Sequence, residues 1–341
     1  MFVTEKMRPS VIPLVMLVML ALACLGVPMV VGCGPMPPPL WRHRANEARP
    51  IALVPADRRP PAANRVTITV EKDARVISSN DVPGHDVGAF PNPGNPHAIS
   101  EQNWSVRLPL DPTVGPAPVS LNDPQRRGPP APFGIGVNGV LFDPGTAEYW
   151  MGDREAGWNY EALSGAVALG LDANHAHVQP GGIYHYHGLP TGLLAELGLK
   201  DVAAKRDTHS ALVGWAADGF PIYCLHGYAR ADDPRSGIKE LVSSYRLKQG
   251  RRPGDGRGPG GRYDGAFVQD YEYVAGAGDL DECNGRFCVT PEFPAGTYAY
   301  FLTANWPVIP RAFRGAPVNL RGLGPPHAHR RPGGSGSGYS G

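Results

Sequence analysis

Residues 175–187, HAHVQPGGIYHYH, place two His-x-His pairs on either side of a Pro-Gly-Gly turn signal. Side chains two residues apart share one face of a β-strand, so each pair points to a single face. Glycine adopts the left-handed backbone conformations that tight hairpin turns need. The stretch therefore predicts a β-hairpin, and the rest of the chain must supply a sheet that this hairpin can join.

The length of the turn decides where the two His pairs point. A three-residue loop at 180–182 makes each histidine of one pair oppose a histidine of the other, and directly opposed residues share a face. All four imidazoles then cluster on one side, while Tyr184 and Tyr186 occupy the other. A two-residue turn at 181–182 shifts the register by one residue and sends the pairs to opposite faces.

A cluster of neutral imidazoles is suited to a transition metal. Imidazole nitrogens bind Zn²⁺ and Cu²⁺, and three protein ligands with an open fourth position make a reactive site. The sequence thus predicts a Zn or Cu site whose ligands are His175, His177, His185 and His187. The alternative interpretation is that these side chains only pack and form hydrogen bonds within the hairpin.

The rest of the chain is typical of a mainly β protein. Gly and Pro number 44 and 38 of the 341 residues, which favours turns and extended segments over long helices. Residues 66–70 alternate like a strand, and two apolar runs flank a type I′ hairpin signal at Asn138-Gly139. We expect one mainly β, sandwich-like domain with long loops and a few short helices, with α+β as the alternative.

The first 33 residues have the layout of an export signal, with Lys6 and Arg8 ahead of a long apolar run. Val30–Cys33 resembles the site at which a bacterial lipoprotein takes its lipid. We therefore predict an exported protein that is anchored to the membrane of the cell envelope through Cys33. Secretion after the same region, or an uncleaved membrane anchor, is the alternative.

Three segments follow the predicted signal. Residues 34–64 are rich in Pro and Arg and indicate an extended tether, 65–320 form the domain, and 321–341 form a disordered tail. The net charge of +1 argues against a broad nucleic-acid surface. The predicted partners are the membrane and an extracellular ligand.

Three cysteines remain after the predicted signal: Cys224, Cys283 and Cys288. An exported protein meets an oxidising compartment, so three cysteines allow one disulfide and leave one thiol. The composition does not choose among the three pairings.

Two acidic motifs are further candidates. Asp218 lies in a turn between apolar runs, where a role beside the site competes with ordinary turn formation. Asp279-x-Asp281 with Asn284 superficially resembles a calcium loop, but it lacks the spacing and the distal Glu of an EF-hand. Zn or Cu is therefore preferred to calcium.

The tetrapeptide Tyr184-His185-Tyr186-His187 is the one that names the YHYH domain family. Other stretches resemble the blocks of that family in the same order: 136–150, 171–180, 209–223 and 280–315. The resemblance covers most of 130–315. It implies the fold of the family, a shared site at the tetrapeptide and an exported or surface-attached protein, and it specifies no activity.

The same resemblance bears on the cysteines. Cys224 and Cys288 occupy positions where the family often has glycine, which implies a Cys224–Cys288 bridge that is particular to this chain and leaves Cys283 free.

The sequence thus predicts a surface-anchored protein that binds a transition metal through its two His-x-His pairs. One alternative is a hydrolase-like enzyme acting on an extracellular polymer, which a cleft holding the histidines and Asp218 would favour. The other is a non-catalytic module that binds glycan or protein. No nucleophile elbow or phosphate loop is present in the sequence.

Overall fold

Strands dominate the residues that the computed structural model of the chain describes, which are 44–122, 130–199, 201, 204 and 206–321. The seventeen strands in this part are β1 (Val66–Glu71), β2 (Ala74–Ser79), β3 (Trp104–Pro109), β4 (Val114–Ser120), β5 (Gly134–Gly136), β6 (Leu141–Phe142), β7 (Ala176–Gln179), β8 (Ile183–Tyr186), β9 (Gly214–Ala216), β10 (Pro221–Cys224), β11 (His226–Arg230), β12 (Asp233–Glu240), β13 (Tyr245–Leu247), β14 (Tyr271–Tyr273), β15 (Gly285–Cys288), β16 (Thr297–Leu302) and β17 (Ala312–Gly315). The helical elements there are α1 (Thr191–Glu196) and short 3-10 helices at Trp150–Gly152, Ala162–Ser164 and Val268–Asp270.

Several predictions for the chain ends lie outside the described residues. These are the signal at 1–33 with its Cys33 anchor and all of the predicted tail after Arg321. Among the residues that are described, no helix has the length and apolar character needed to cross a membrane.

Eight strands form one mixed sheet in the order β15-β16-β10-β9-β5-β6-β8-β7. Neighbours in it are antiparallel except for β10 with β16 and β6 with β8, which are parallel. A second sheet has the order β1-β2-β3, and the strand pairs β11-β12, β13-β14 and β4-β17 are separate. The prediction of a mainly β chain with few short helices is confirmed.

The eight-stranded and three-stranded sheets bury their apolar side chains in one shared core. Ile77 and Leu108 of the smaller sheet are fully buried in the same cluster as Ile135 and Tyr186 of the larger sheet. Each large apolar side chain that leaves water contributes roughly 1.5–3 kcal/mol to folding. Two sheets around one core are the arrangement expected of a sandwich-like domain.

The hairpin predicted at Asn138-Gly139 joins β5 to β6, but its turn differs from the predicted type. The Gly139 N–H donates to the Gly136 carbonyl at 2.8 Å, and only Gly139 of the two turn residues has a positive φ, 79°. A type I′ turn needs positive φ at both residues, so this loop is the longer kind that ends in a left-handed glycine. A Cβ at position 139 would lie 2.2 Å from Ser79 Oγ.

Residues 44–58, which belong to the predicted tether, run along the domain instead of leaving it. Ala45 and Val54 donate their N–H groups to the carbonyls of Ala166 and Leu171, each at 2.8 Å. These contacts are made by backbone groups, which every residue has. They therefore produce no pattern of apolar side chains in the sequence. Ala166 and Leu171, which accept these hydrogen bonds, lie in the segment that precedes β7.

None of the predicted disulfides is formed, because Cys224, Cys283 and Cys288 are buried free thiols. Cys224 pairs with Leu302 of β16, and Cys288 pairs with Thr297 on the other side of that strand. Neighbouring strands lie about 4.8 Å apart, so residues two strands apart exceed the limit of about 7 Å between the Cα atoms of a disulfide. The Cys224–Cys288 bridge is excluded because β16 lies between the two cysteines.

Candidate metal centre

The β7–β8 hairpin presents His177 and His185 on one face of the large sheet. The two residues are directly opposed in the register that the three-residue loop predicts. Gly181 and Gly182 have φ values of 94° and 81°, which favour glycine. A Cβ on Gly182 would also lie 2.0 Å from Ser100 Oγ. Of the two registers considered, the hairpin has the one set by the three-residue loop.

A third histidine completes a triangle of rings. The N–H of His187 donates to the carbonyl of His175 at 2.8 Å, which continues the pairing one step beyond β8. The ring centroids of His177, His185 and His187 are 4.7 Å apart in all three pairs. We call these three residues the histidine triangle. Among the described residues, they are the one group of three or more His, Cys, Asp or Glu whose ligand atoms lie within 4.8 Å of one another.

The spacing of the ring nitrogens fits a single ion. The Nε2 atoms of His185 and His187 are 3.0 Å apart. Two nitrogens bound at about 2.0–2.1 Å to one tetrahedral ion lie about 3.3 Å apart, so a small adjustment accommodates the ion.

His175 does not join the triangle, which corrects the predicted convergence of four imidazoles to three. Strand β7 begins at Ala176, and His175 itself has a positive φ of 54°. The alternation of side chains along a strand therefore does not extend to it. Its ring lies against Leu189 instead, with Nδ1 2.9 Å from the carbonyl oxygen of that residue.

Backbone carbonyls orient two rings of the triangle. Nδ1 of His177 lies 2.9 Å from the Leu169 carbonyl oxygen, and Nδ1 of His185 lies 3.2 Å from that of Ile183. A carbonyl only accepts, so Nδ1 of each neutral ring carries the proton and Nε2 keeps its lone pair. Metal-binding histidines are commonly held in this way by a hydrogen bond from the second nitrogen.

Burial favours the neutral form of two rings, those of His185 and His187. It lowers the pKa of His185 and of His187 well below the ordinary histidine value, and the neighbouring His177 lowers both further. The carbonyl of Pro144 acts in the opposite direction on the pKa of His187, whose Nδ1 makes no hydrogen bond of standard geometry. Neutral imidazole is the form that binds a metal.

A cavity of about 340 Å³ opens against the triangle, and its wall also contains the charged residues Asp143, Glu148 and Arg321. Oδ2 of Asp143 accepts a hydrogen bond from Nη2 of Arg321 at 3.2 Å, and its buried Oδ1 makes none of standard geometry. Burial raises the pKa of the Asp143 carboxyl to about 6, against the attraction of Arg321 and Arg311. The cavity therefore combines three imidazole rings with a carboxyl whose pKa is raised to about 6.

The tyrosines of β8 face the opposite side of the sheet, as predicted. The Tyr184 hydroxyl donates to Oδ2 of Asp172 at 2.7 Å. The Tyr186 hydroxyl lies 2.6 Å from Nε2 of His85 and accepts from Nδ2 of Asn138 at 2.9 Å. Both tyrosine rings are fully buried, and neither lines the cavity. Their hydrogen bonds hold the hairpin on the face opposite the histidines.

A family comparison covers the part of the chain that holds this hairpin. The family model described as YHYH protein matches residues 105–315, more than half of the chain and all of the β7–β8 hairpin. The chain belongs to the YHYH family. Its name-giving tetrapeptide supplies two rings of the histidine triangle and the two buried tyrosines behind them. No curated protein and no solved structure matches the chain at a significant level.

Asp218 lies elsewhere in this YHYH domain and is not among the residues that line the cavity. Its Oδ2 accepts hydrogen bonds from the Tyr300 hydroxyl at 2.5 Å and from the Gly315 N–H at 2.9 Å. Burial raises the pKa of its carboxyl. The structure therefore gives Asp218 the contacts of a buried residue that ties β17 to the β9–β10 turn.

The acidic stretch considered for calcium uses its side chains to shape a loop. Oδ1 of Asp281 accepts from the N–H groups of Cys283 and Gly285, at 2.9 and 3.1 Å, and Asp279 pairs with Lys239 at 2.5 Å. These bonds engage one oxygen of each aspartate in the loop, whereas the buried Oδ1 of Asn284 makes no hydrogen bond of standard geometry.

Sequence reasoning did not find Asp143 or Arg321. Strand β6 runs parallel to β8 with Phe142 beside Tyr186, so the next residue, Asp143, comes alongside His187. A parallel pairing between distant segments leaves no local signal in the sequence. The only hint is an acidic residue directly after the apolar residues of β6.

Proposed function

We propose that this YHYH protein binds Zn²⁺ or Cu²⁺ through Nε2 of His177, His185 and His187. The observation that carries the proposal is the histidine triangle itself, with equal 4.7 Å ring separations. Backbone carbonyls at Nδ1 of two of its rings orient these rings so that Nε2 is the nitrogen that would bind the ion. All three rings line the cavity, which would leave room for a fourth ligand on a bound ion, and this supports a reactive centre more than a closed structural one.

The donor set supports these two metals over others. Three neutral nitrogens suit Zn²⁺ and Cu²⁺, whereas calcium requires six to eight oxygen ligands. No thiolate takes part, since the cysteines Cys224, Cys283 and Cys288 are not in the triangle.

We also propose export and lipid attachment through Cys33. The support is the sequence of residues 1–33, with its basic start, apolar run and Val-Gly-Cys ending. A lipid on Cys33 would hold the metal centre at the membrane surface of the cell envelope. Metabolic labelling with a fatty acid, compared between the wild type and Cys33→Ser, tests this location.

Stoichiometric metal is the first expected result for the centre. Elemental analysis of the full chain after exposure to Zn²⁺ should give about one Zn per chain, because three neutral ligands share one ion. At free Zn²⁺ a thousandfold above Kd, the melting temperature should rise by about 5–10 °C, because the ion binds the folded state only. The double variant His185→Ala/His187→Ala should lose both effects.

A matched double variant, His209→Ala/His226→Ala, removes two histidines outside the triangle and should keep the metal. A wild-type chain without stoichiometric metal would contradict the proposal, as would equal metal content in the two double variants.

The affinity for Zn²⁺ should withstand acid better in the folded chain than in a peptide of residues 175–188. In the peptide each histidine titrates at about 6.5, so between pH 7.5 and 5.5 three ligands together lose about 10³-fold in affinity. In the folded chain the pKa of His185 and of His187 is lowered, so their protonation begins only at lower pH. The folded chain should lose about tenfold or less over the same range. Competition titrations at both pH values measure this, and equal losses would show that burial does not protect the ligands.

A further inference from the structure

Asp143 shares the cavity wall with the histidine triangle. The parallel pairing of β6 with β8 brings it alongside His187, and its N–H donates to the Tyr186 carbonyl at 2.9 Å. The residue is 3% exposed, and its Oδ1 is buried without a hydrogen bond of standard geometry. The Gly145 N–H lies near this carboxyl, and a carboxylate oxygen buried without a hydrogen bond of standard geometry is stabilised when a further group donates one.

The carboxyl of Asp143 lies near the triangle without belonging to it. The set of ligand atoms within 4.8 Å of one another includes the three histidines and excludes Asp143. A carboxylate placed beside a metal, but outside its ligands, can accept a hydrogen bond from a water molecule on that metal. Such a water would give Oδ1 a hydrogen bond of standard geometry.

We infer that Asp143 accepts the proton of a metal-bound water and that the centre hydrolyses small, uncharged carboxylic esters. This inference rests on the proposed metal site. The O–H bond of the water breaks as its proton passes to Asp143, and the hydroxide forms a bond to the ester carbonyl carbon. The bond between that carbon and the leaving oxygen then breaks, and the leaving oxygen takes the proton from Asp143. Ester and water become acid and alcohol, with no other reactant.

The cavity favours a small and uncharged substrate. Its volume of about 340 Å³ lies at the lower end of the range for small-molecule sites. Leu169, Pro180 and Ala147 supply apolar wall. An anionic phosphodiester would meet the carboxyl groups of Asp143 and Glu148. The one arginine of the wall already donates to Asp143 and to the Pro130 carbonyl.

The test compares the Zn-loaded full chain with its Asp143→Asn variant, using 4-nitrophenyl acetate as the probe. We expect the variant to keep its Zn, with affinity within about threefold, and to lose about 10²–10⁴-fold in metal-dependent hydrolysis. The rate of the same sample stripped with a chelator is subtracted from each measurement. Asp218→Asn, which changes a buried carboxyl outside the cavity, should keep the wild-type rate.

The melting temperature of each variant shows whether it is folded, and Asp143→Glu, which retains a carboxylate, should recover part of the rate. Hydrolysis unchanged in Asp143→Asn would overturn the inference. Loss of Zn from Asp143→Asn would overturn it too, because Asp143 would then be a ligand. Faster metal-dependent cleavage of bis(4-nitrophenyl) phosphate than of the ester would overturn the substrate class. If the wild type binds no Zn, the proposed function itself fails, which the metal analysis shows separately.

Discussion

Replacing Asp172 by alanine is expected to lower the free energy of unfolding by about 3–5 kcal/mol, because it leaves three buried donors without an acceptor. Asp172 is fully buried. Its Oδ2 accepts from the Gly88 N–H at 2.9 Å and from the Tyr184 hydroxyl at 2.7 Å, while Oδ1 accepts from the Asn174 N–H at 2.9 Å. Equilibrium unfolding in urea measures the loss as a shift of the midpoint.

Two variants separate the lost acceptor from the change of size. Asp172→Asn keeps the shape and one acceptor oxygen, so it should cost less than Asp172→Ala. Tyr184→Phe removes a single donor and should cost about 1 kcal/mol. If Asp172→Ala lowers the unfolding free energy by less than about 1 kcal/mol, the carboxyl does not hold the hairpin as described.

Replacing Asp172 should also disturb the proposed metal centre, because of where this residue lies. The residue immediately precedes the segment that enters β7, and its partner Tyr184 stands behind the two histidines of β8. The same carboxylate therefore fixes the backbone on both sides of the hairpin. A stable hairpin is what holds the ring nitrogens at the separation that one ion needs.

The hairpin could be predicted from sequence because its information is local. A Pro-Gly-Gly loop sets the register, and the alternation along β8 separates His185 and His187 from Tyr184 and Tyr186. The same reasoning gave a wrong prediction for His175, which lies one residue before β7. His175 has a positive φ, so it leaves the alternating pattern, and no residue type in the sequence signals that change.

The rest of the site depends on pairings between distant segments. Asp143 reaches the cavity through the parallel β6–β8 pair, and Arg321 through the chain that follows β17. The prediction of a Cys224–Cys288 disulfide failed for the same reason. Whether Cys224 and Cys288 can meet depends on β16 lying between their strands, which spacing along the chain does not reveal.

Single replacements in the histidine triangle are expected to have the largest effect on metal affinity. Structural Zn²⁺ sites with four ligands bind with about 10–16 kcal/mol, so one ligand accounts for about 2.5–4 kcal/mol. Loss of His177, His185 or His187 should therefore weaken Zn²⁺ binding by about 10²–10³-fold. His175→Ala is the matched control, because that histidine belongs to the same hairpin and its ring lies against Leu189.

The measurement that tests the metal centre most directly is the Zn²⁺ affinity of these four alanine variants, determined by competition with a chromophoric chelator. We expect the three triangle variants to lose about 10²–10³-fold and His175→Ala to stay within about threefold of the wild type. An equal loss in His175→Ala would mean that four histidines bind the ion. Unchanged affinity in the three triangle variants would mean that the triangle is not a metal site.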